Sequence, residues 1–251
     1  MSDILIATLA SQNETDNRKK LVELYQSNPL PEMEKVANAG LFLKRQELSK
    51  ILFFNEIYQK LVNIHGIIIE FGTRWGQNLV TLNNLRGIYE PFNYNRKLIG
   101  FDTFEGFKNT DKKDGNHSII KDGYFSVTEN YDKYLEELLT IHEKECPLNH
   151  IPKNLIIKGD ASVELLKYFE KNPQTIIAFA WFDFDIYEPT IKCLNLIKPY
   201  LAKGSIIGFD ELNDAKFPGE TIALKEFADL NSLKIYRSKF SAMQSYIIYG
   251  E

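Results

Sequence analysis

Cysteine is nearly absent: Cys146 and Cys193 are the only two among 251 residues. That is too few for a disulfide framework, and their separation is not that of a metal site, so both read as plain thiols. An excess of positive charge is missing as well. The formal charge is -4 and the pI is near 5.7, which argues against a nucleic-acid partner gripped through its phosphates, because that normally needs a basic face. No apolar run is long enough for a spanning helix, and the opening stretch "MSDILIATLA" is short and has no basic region before it; the expectation is a cytoplasmic protein without membrane insertion. Internal repeats and low-complexity tracts are lacking too. What the chain does have is 44% hydrophobic residues, enough for a sizeable core in one large α/β domain or two small ones.

The order of patterns is informative. "TDNRKKLVELYQ", Thr15 to Gln26, reads as an amphipathic helix with Thr15 or Asp16 as its cap, ended by Pro29 and Pro31. A second helix is expected from about Glu47 to Val62, where apolar residues recur at helical spacing. Short apolar runs then appear at "GIIIEFG", "KLIGFD", "NLIIKGD", "TIIAFAWFDFD" and "GSIIGFD", alternating with helical stretches such as "SVELLKYFEK". Runs apolar on both faces suit parallel strands covered by helices. "LKIYRSK" and "MQSYIIYG" near the end form an expected antiparallel hairpin. Such a hairpin favours the methyltransferase variant of the doubly wound α/β sheet, preceded here by an N-terminal helical region. The long connection after the second strand, with Lys108 to Phe125 at its heart, is rich in Gly, Asn, Asp and Lys and predicts a mobile cover for a ligand crevice.

Ligands of open α/β sheets bind beyond the carboxyl ends of the strands. In this chain those ends carry Glu70, Asp102, Asp160, Asp183 with Asp185, and Asp210 with Glu211. A shared polar crevice explains five successive acidic strand ends better than solubility does. Gly72 and Gly76 permit a tight turn and close ligand approach before a helix. Asp102 sits where a ribose-binding acid is expected, and a carboxylate accepts two hydroxyl hydrogen bonds from a cis-diol. Asp160, before "ASVELL", serves equally well as a helix cap. Strand alternation places Asp183 and Asp185 on one side, where a cation, a protonated partner or solvent must relieve them. Asp183, Asp210 and Glu211 offer hard oxygen ligands for a divalent cation such as magnesium; the alternative is an acidic rim without metal.

These residues resemble a known family. "GLFLKR", "IIIEFGTRWGQNL", "IGFDTFEGF", "FDFDIYEPT" and "GFDELNDAKFPGETIALKEF" follow one another, over Gly40 to Phe227, in the order found in the macrocin O-methyltransferases. Those are class I S-adenosylmethionine-dependent enzymes that methylate sugar hydroxyls. The resemblance implies an N-terminal helical region, residues 1–64, packed on a methyltransferase domain, residues 65–251. It implies that Glu70, Gly72, Thr73 and Gly76 form the first cofactor loop. Asp102 would meet the ribose, Thr103 and Phe104 the adenosine, and Asp160 and Ala161 the adenine. Asp183, Asp210 and Glu211 would hold magnesium, and Asp185 would be the general base. Two departures stand out: "GTRWGQ" lacks the second glycine of the common "RGG", and the acid pair is Asp-Glu where Asp-Asp is frequent.

Other features read more plainly. His117 serves as a base over the substrate or as an ordinary loop histidine, and Trp75 and Trp181 read as packing residues near the sheet's end. Tyr187 and Thr190 either hold substrate or cap the next helix. The acceptor implied is a small molecule or a glycan, and the chain leaves room for a homo-oligomer. Two competing functions use the same ribose acid: a nicotinamide-dependent oxidoreductase and a non-catalytic nucleoside-cofactor-binding protein.

Overall fold

A computed structural model describes residues 9–251; the apolar opening, apart from its last two residues, lies outside the described residues. The first helix, α1 (Gln12–Gln26), starts earlier than its periodicity suggests. Ser11 is the cap rather than Thr15 or Asp16, since its hydroxyl accepts from the Glu14 N–H while the Glu14 carboxylate accepts from the Ser11 N–H, a reciprocal pair that satisfies two orphan donors. A short helix α2 (Glu32–Ala37) follows, and neither helix contains a buried residue. The helix α3 (Arg45–Leu61) is different: Phe53, Phe54, Ile57, Tyr58 and Leu61 are buried along one face, the i, i+4 stripe of a core-facing helix.

The sheet is built from β1 (Ile67–Phe71), β2 (Leu98–Asp102), β3 (Asn154–Lys158), β4 (Ile177–Phe182), β5 (Leu201–Phe209), β6 (Tyr236–Arg237) and β7 (Ser245–Ile248). Between the strands run α4 (Gln77–Tyr89), α5 (Tyr131–Lys144), α6 (Ala161–Lys171), α7 (Tyr187–Ile197) and α8 (Gly219–Phe227). The strand order is β3-β2-β1-β4-β5-β7-β6. Strands β1 to β5 pair in parallel, and β7 joins β5 and β6 antiparallel. This is the class I methyltransferase arrangement, with the expected terminal hairpin. Strand order reverses between β1 and β4, so the crevice at their carboxyl ends is the natural ligand site.

Strand alternation divides the core. Ile67, Ile69 and Phe71 pack under α6, α7 and α8, whereas Ile68 faces α3, α4 and α5. By the same period Glu70 turns towards α3 and α4. Trp181, fully buried, meets Phe53 and Phe54 at ring-centroid distances of 5.6 and 5.0 Å. Burying each such aromatic contributes roughly 1.5–3 kcal/mol, which fixes α3 on the sheet.

The long connection after β2 is anchored by more than its composition suggests. Asp111 caps a single 3-10 turn, and Asp114, fully buried, accepts from the Asp111 and Tyr187 N–H groups at 2.6 and 2.5 Å. Lys113 pairs with Glu226 at 2.6 Å, and Ile119 is buried. The composition argument for a mobile cover misses these anchors, because one buried carboxylate with two backbone donors holds a segment that has little apolar surface.

Candidate active site

Backbone hydrogen bonds continue beyond the strand ends and align the loops. The Gly72 N–H donates to Phe101, Asp183 N–H to Phe71, Asp210 N–H to Phe182 and Gly159 N–H to Asp102, all at 2.9–3.1 Å. A cavity of about 470 Å³ opens over this row. Of the sequence-predicted residues, Gly72, Thr73, Gly76, Asp102, Thr103, Asp160, Ala161, Asp183, Asp185, Asp210 and Glu211 line it; Glu70 and Phe104 do not.

Two glycines shape the first loop. Gly72 has φ +83°, and a Cβ there would lie 2.0 Å from the Asp183 carbonyl oxygen. Gly76 opens α4 at φ +78°, where a Cβ would strike Leu135 at 2.4 Å. Any side chain at either position therefore displaces the loop. Between them, Arg74 adopts φ +47°, and this turn aims its N–H at Asp102.

Asp102 ends β2 with its carboxylate fixed by backbone: Arg74 N–H donates to Oδ2 at 2.7 Å and Phe104 N–H to Oδ1 at 2.5 Å. Burial raises its pKa, and these two donors oppose the shift. Arg74 Nε is buried and has no hydrogen-bond partner, whereas Thr73 Oγ1 is turned to the Glu70 carboxyl. Phe104, expected beside the adenosine, has φ +59° and a buried ring in the hydrophobic cluster on the α3–α5 face of the sheet, and it is its N–H that reaches Asp102. Thr103 holds the turn, accepting from Glu105 N–H and donating to the Gly106 carbonyl. Asp160 is the cap of α6, accepting from Ser162 N–H at 2.9 Å, while also reaching the cavity wall.

Glu70 is likewise placed differently from its expected role. It is fully buried in β1, on the α3 and α4 side, with both carboxyl oxygens lacking a hydrogen bond of good geometry. Burial, followed by the charge of Asp183, pushes its pKa up to about 8. A carboxyl so placed is favoured in its neutral form and contacts no cavity ligand directly.

On the β4 and β5 side the acids meet side chains from distant elements. β4 stops at Phe182, and Asp185 adopts φ +63°, so the strand alternation expected to align Asp183 with Asp185 does not operate. Lys50, from α3, lies 3.1 Å from Asp183 Oδ2 and 3.1 Å from Asp210 Oδ1. Burial alone would lower its pKa, but the two carboxylates more than offset this and hold the ammonium above its usual range. Asn78 and Trp181 donate to the same Asp183 oxygen at 3.1 and 3.3 Å, and Gln244 donates to Asp210 Oδ1 at 2.8 Å. Sequence reasoning named the need for a cation or a protonated partner but did not find Lys50, which lies 133 residues from Asp183.

Behind this pair, burial and then the charge of Asp185 raise Glu211 well above the usual carboxyl range. The two carboxyls lie side by side, so burial and the charge of Asp185 favour the neutral form of Glu211. Asp185 itself is pushed to about 7, by burial first, with the Glu211 hydrogen bond acting in the opposite sense. Glu220, buried beneath, accepts from Phe184 N–H at 3.2 Å and fixes the β4 loop.

The acids expected to hold magnesium do not fit it as they stand. Their oxygens are of the right chemistry, yet an ammonium already bridges Asp183 and Asp210. Among the described residues no three His, Cys, Asp or Glu side chains form a metal-binding group. His117 does not line the cavity and rests 6.4 Å from the Phe217 ring. Tyr187 and Thr190 hold structure: the Tyr187 hydroxyl bonds Glu226 at 2.5 Å, and Thr190 Oγ1 donates to the Ile186 carbonyl at 2.6 Å.

Comparison with solved structures gives a full-length match. The crystal structure of CalS11, a calicheamicin methyltransferase, is 36% identical, covers 100% of this chain and 98% of its own, and superposes with a TM-score of 0.94. The apo structure of CalS11, described as a TDP-rhamnose 3'-O-methyltransferase of calicheamicin biosynthesis, is 36% identical, with 97% of each chain covered and a TM-score of 0.85. The O-methyltransferase NovP, at 14% identity, with 80% of this chain and 79% of its own covered and a TM-score of 0.57, shares the fold. No protein-family model and no curated protein matches the chain.

Proposed function

The chain belongs to the macrocin O-methyltransferase family of class I S-adenosylmethionine-dependent enzymes, and from this we propose that it methylates a hydroxyl of a sugar. The acceptor is a glycoside, a polysaccharide precursor or a secondary metabolite. That it is an S-adenosylmethionine-dependent O-methyltransferase follows from its full-length likeness to CalS11. The observation that carries the finer reading is one cavity with a backbone-fixed acid, Asp102, at one end and a buried acid of near-neutral pKa, Asp185, at the other. Residues 1–64 and 65–251 act together in this reading, because α3 of the first segment supplies Lys50 to the cavity wall.

The residues suit the cofactor. Asp102 has lone pairs left for a ribose diol after its two backbone donors are counted. Arg74 Nε is a polar atom in need of a partner, and Asp160 and Ala161 also wall the cavity. When bound, S-adenosylmethionine supplies a sulfonium methyl group already activated for transfer. The chain's task is then to hold the acceptor oxygen in line and to remove its proton. Asp185, on the cavity wall, takes that proton, and its near-neutral pKa matches a general base working near pH 7. Glu211, beside it, holds the Asp185 pKa lower than burial alone would. No step passes through magnesium, because Lys50 stands between two of its expected ligands.

The nicotinamide reading shares only the ribose acid, and the full-length match to a methyltransferase does not favour it. A cytoplasmic location and a non-nucleic-acid acceptor remain part of the proposal, resting on charge and sequence pattern. The test is mass spectrometry of nucleotide-linked deoxysugars and free glycosides incubated with the chain and S-adenosylmethionine. The expected result is a sugar product one methyl heavier together with S-adenosylhomocysteine. Binding of a nicotinamide nucleotide without binding of S-adenosylmethionine contradicts the reading.

A further inference from the structure

We propose that Lys50 is the resident cation of this site, holding Asp183 and Asp210 in the place a divalent ion would take, so that the chain orients its acceptor without a metal. This rests on reading the cavity as the methyl-transfer site. The donor geometry carries it. Asp183 Oδ2 accepts from Lys50, Asn78 and Trp181 at 3.1, 3.1 and 3.3 Å, and Asp210 Oδ1 accepts from Lys50 and Gln244 at 3.1 and 2.8 Å. A metal bridging the two acids through these oxygens would compete with the ammonium for the same lone pairs.

Nor is Lys50 free to withdraw. Its helix is pinned one turn further on, where Phe53 and Phe54 pack against Trp181, and its ammonium lies 5.7 Å from the Trp181 ring centroid. A divalent ion entering beside it would meet like-charge repulsion at short range in a poorly solvated place. An ammonium has three N–H donors. Two are spent on Asp183 and Asp210, leaving one for a ligand oxygen in the cavity that Lys50 lines. Lys50 is thus a positioning residue whose charge replaces that of an ion.

The test uses the full chain after chelation, Mn²⁺ as a paramagnetic probe read by electron paramagnetic resonance, and calorimetric S-adenosylmethionine binding to report an intact cavity. Wild type is expected to leave the free Mn²⁺ signal unchanged and to keep its methyl transfer in chelator. Lys50→Met is expected to gain about tenfold or more in Mn²⁺ affinity as repulsion is relieved, and to lose that gain when Asp183→Asn is added. Lys50→Arg, which keeps the cation, is expected to behave as wild type towards Mn²⁺. Stoichiometric Mn²⁺ binding by wild type that Asp183→Asn abolishes overturns the proposal. So does Lys50→Met that still binds S-adenosylmethionine but gains no Mn²⁺ site. If Lys50→Met does not fold, wild type and Lys50→Arg decide: a Mn²⁺ site in either contradicts the proposal, and none in both supports it. Failure of the methyl-transfer reading would appear separately, as absent S-adenosylmethionine binding by wild type.

Discussion

The two halves of the strand-end row solve the same problem in opposite ways. At the end of β2, Asp102 is held by backbone N–H groups from its own turn and from the neighbouring loop. At the ends of β4 and β5, Asp183 and Asp210 are held by side chains from α3, α4 and the terminal hairpin connection. Backbone donors make a rigid acceptor whose charge is hardly coupled to other acids, which suits equilibrium binding of a diol. Side-chain donors and clustered acids couple several protonation states, which suits moving a proton. In the proposed function, one half binds and the other reacts.

The sharpest way to break this contrast is to disable each half in turn. Asp185→Asn is expected to lower turnover by roughly 10²- to 10⁴-fold, the range of general-base catalysis, while S-adenosylmethionine affinity by calorimetry stays near wild type. In wild type, Asp185 is protonated below about 7, so the rate should fall about tenfold per pH unit below that point as the base is lost. A pH profile that Asp185→Asn leaves unaltered would assign the proton transfer elsewhere.

Asp102→Ala should produce the complementary defect. It removes the diol acceptor and leaves the N–H groups of Arg74 and Phe104 unpaired, a loss of about 1.5–3 kcal/mol for hydrogen bonds to a charged group. That corresponds to a Kd for S-adenosylmethionine raised by about 10- to 150-fold, with turnover at saturating cofactor much less affected. Equal losses in both quantities would erase the distinction between the halves.

An effect on stability, and not on binding or turnover, concerns Glu70, which lies behind both halves. Its folded-state pKa, about 8, is above its ordinary value of 4.5. Its contribution to stability is therefore full below about 4.5 and is lost as pH rises towards 8, by up to about 1.4 kcal/mol per unit. Glu70→Gln should flatten this slope in urea unfolding followed from pH 6 to pH 8. A slope unchanged by the substitution would mean that Glu70 is relieved by a partner in the folded state.

The same contrast explains what was legible in the sequence. The alternating pattern, the terminal hairpin, the glycines and Asp102 could be read because their roles depend on residues close in sequence or on strand order. The Ser11 cap was missed, although Ser11 and Glu14 have capping-box spacing. Lys50 was not legible: nothing in "LSKILFF" says that a lysine one turn before the aromatic stripe reaches an acid 133 residues away. The burial of the Phe104 ring was not legible, because its motif says nothing of the positive φ at this residue. Asp185 was placed in the cavity for a reason that fails, strand alternation, since a left-handed turn rather than a strand presents it.

The most direct measurement is a crystal structure of the chain with S-adenosylhomocysteine. The account predicts the ribose diol on the Asp102 carboxylate and the sulfur directed across the cavity towards Asp185, with Lys50 still bridging Asp183 and Asp210. A nucleoside seated with its diol on Asp183 or Asp210, and its sulfur turned away from Asp185, would contradict the division of the site into a binding half and a reacting half.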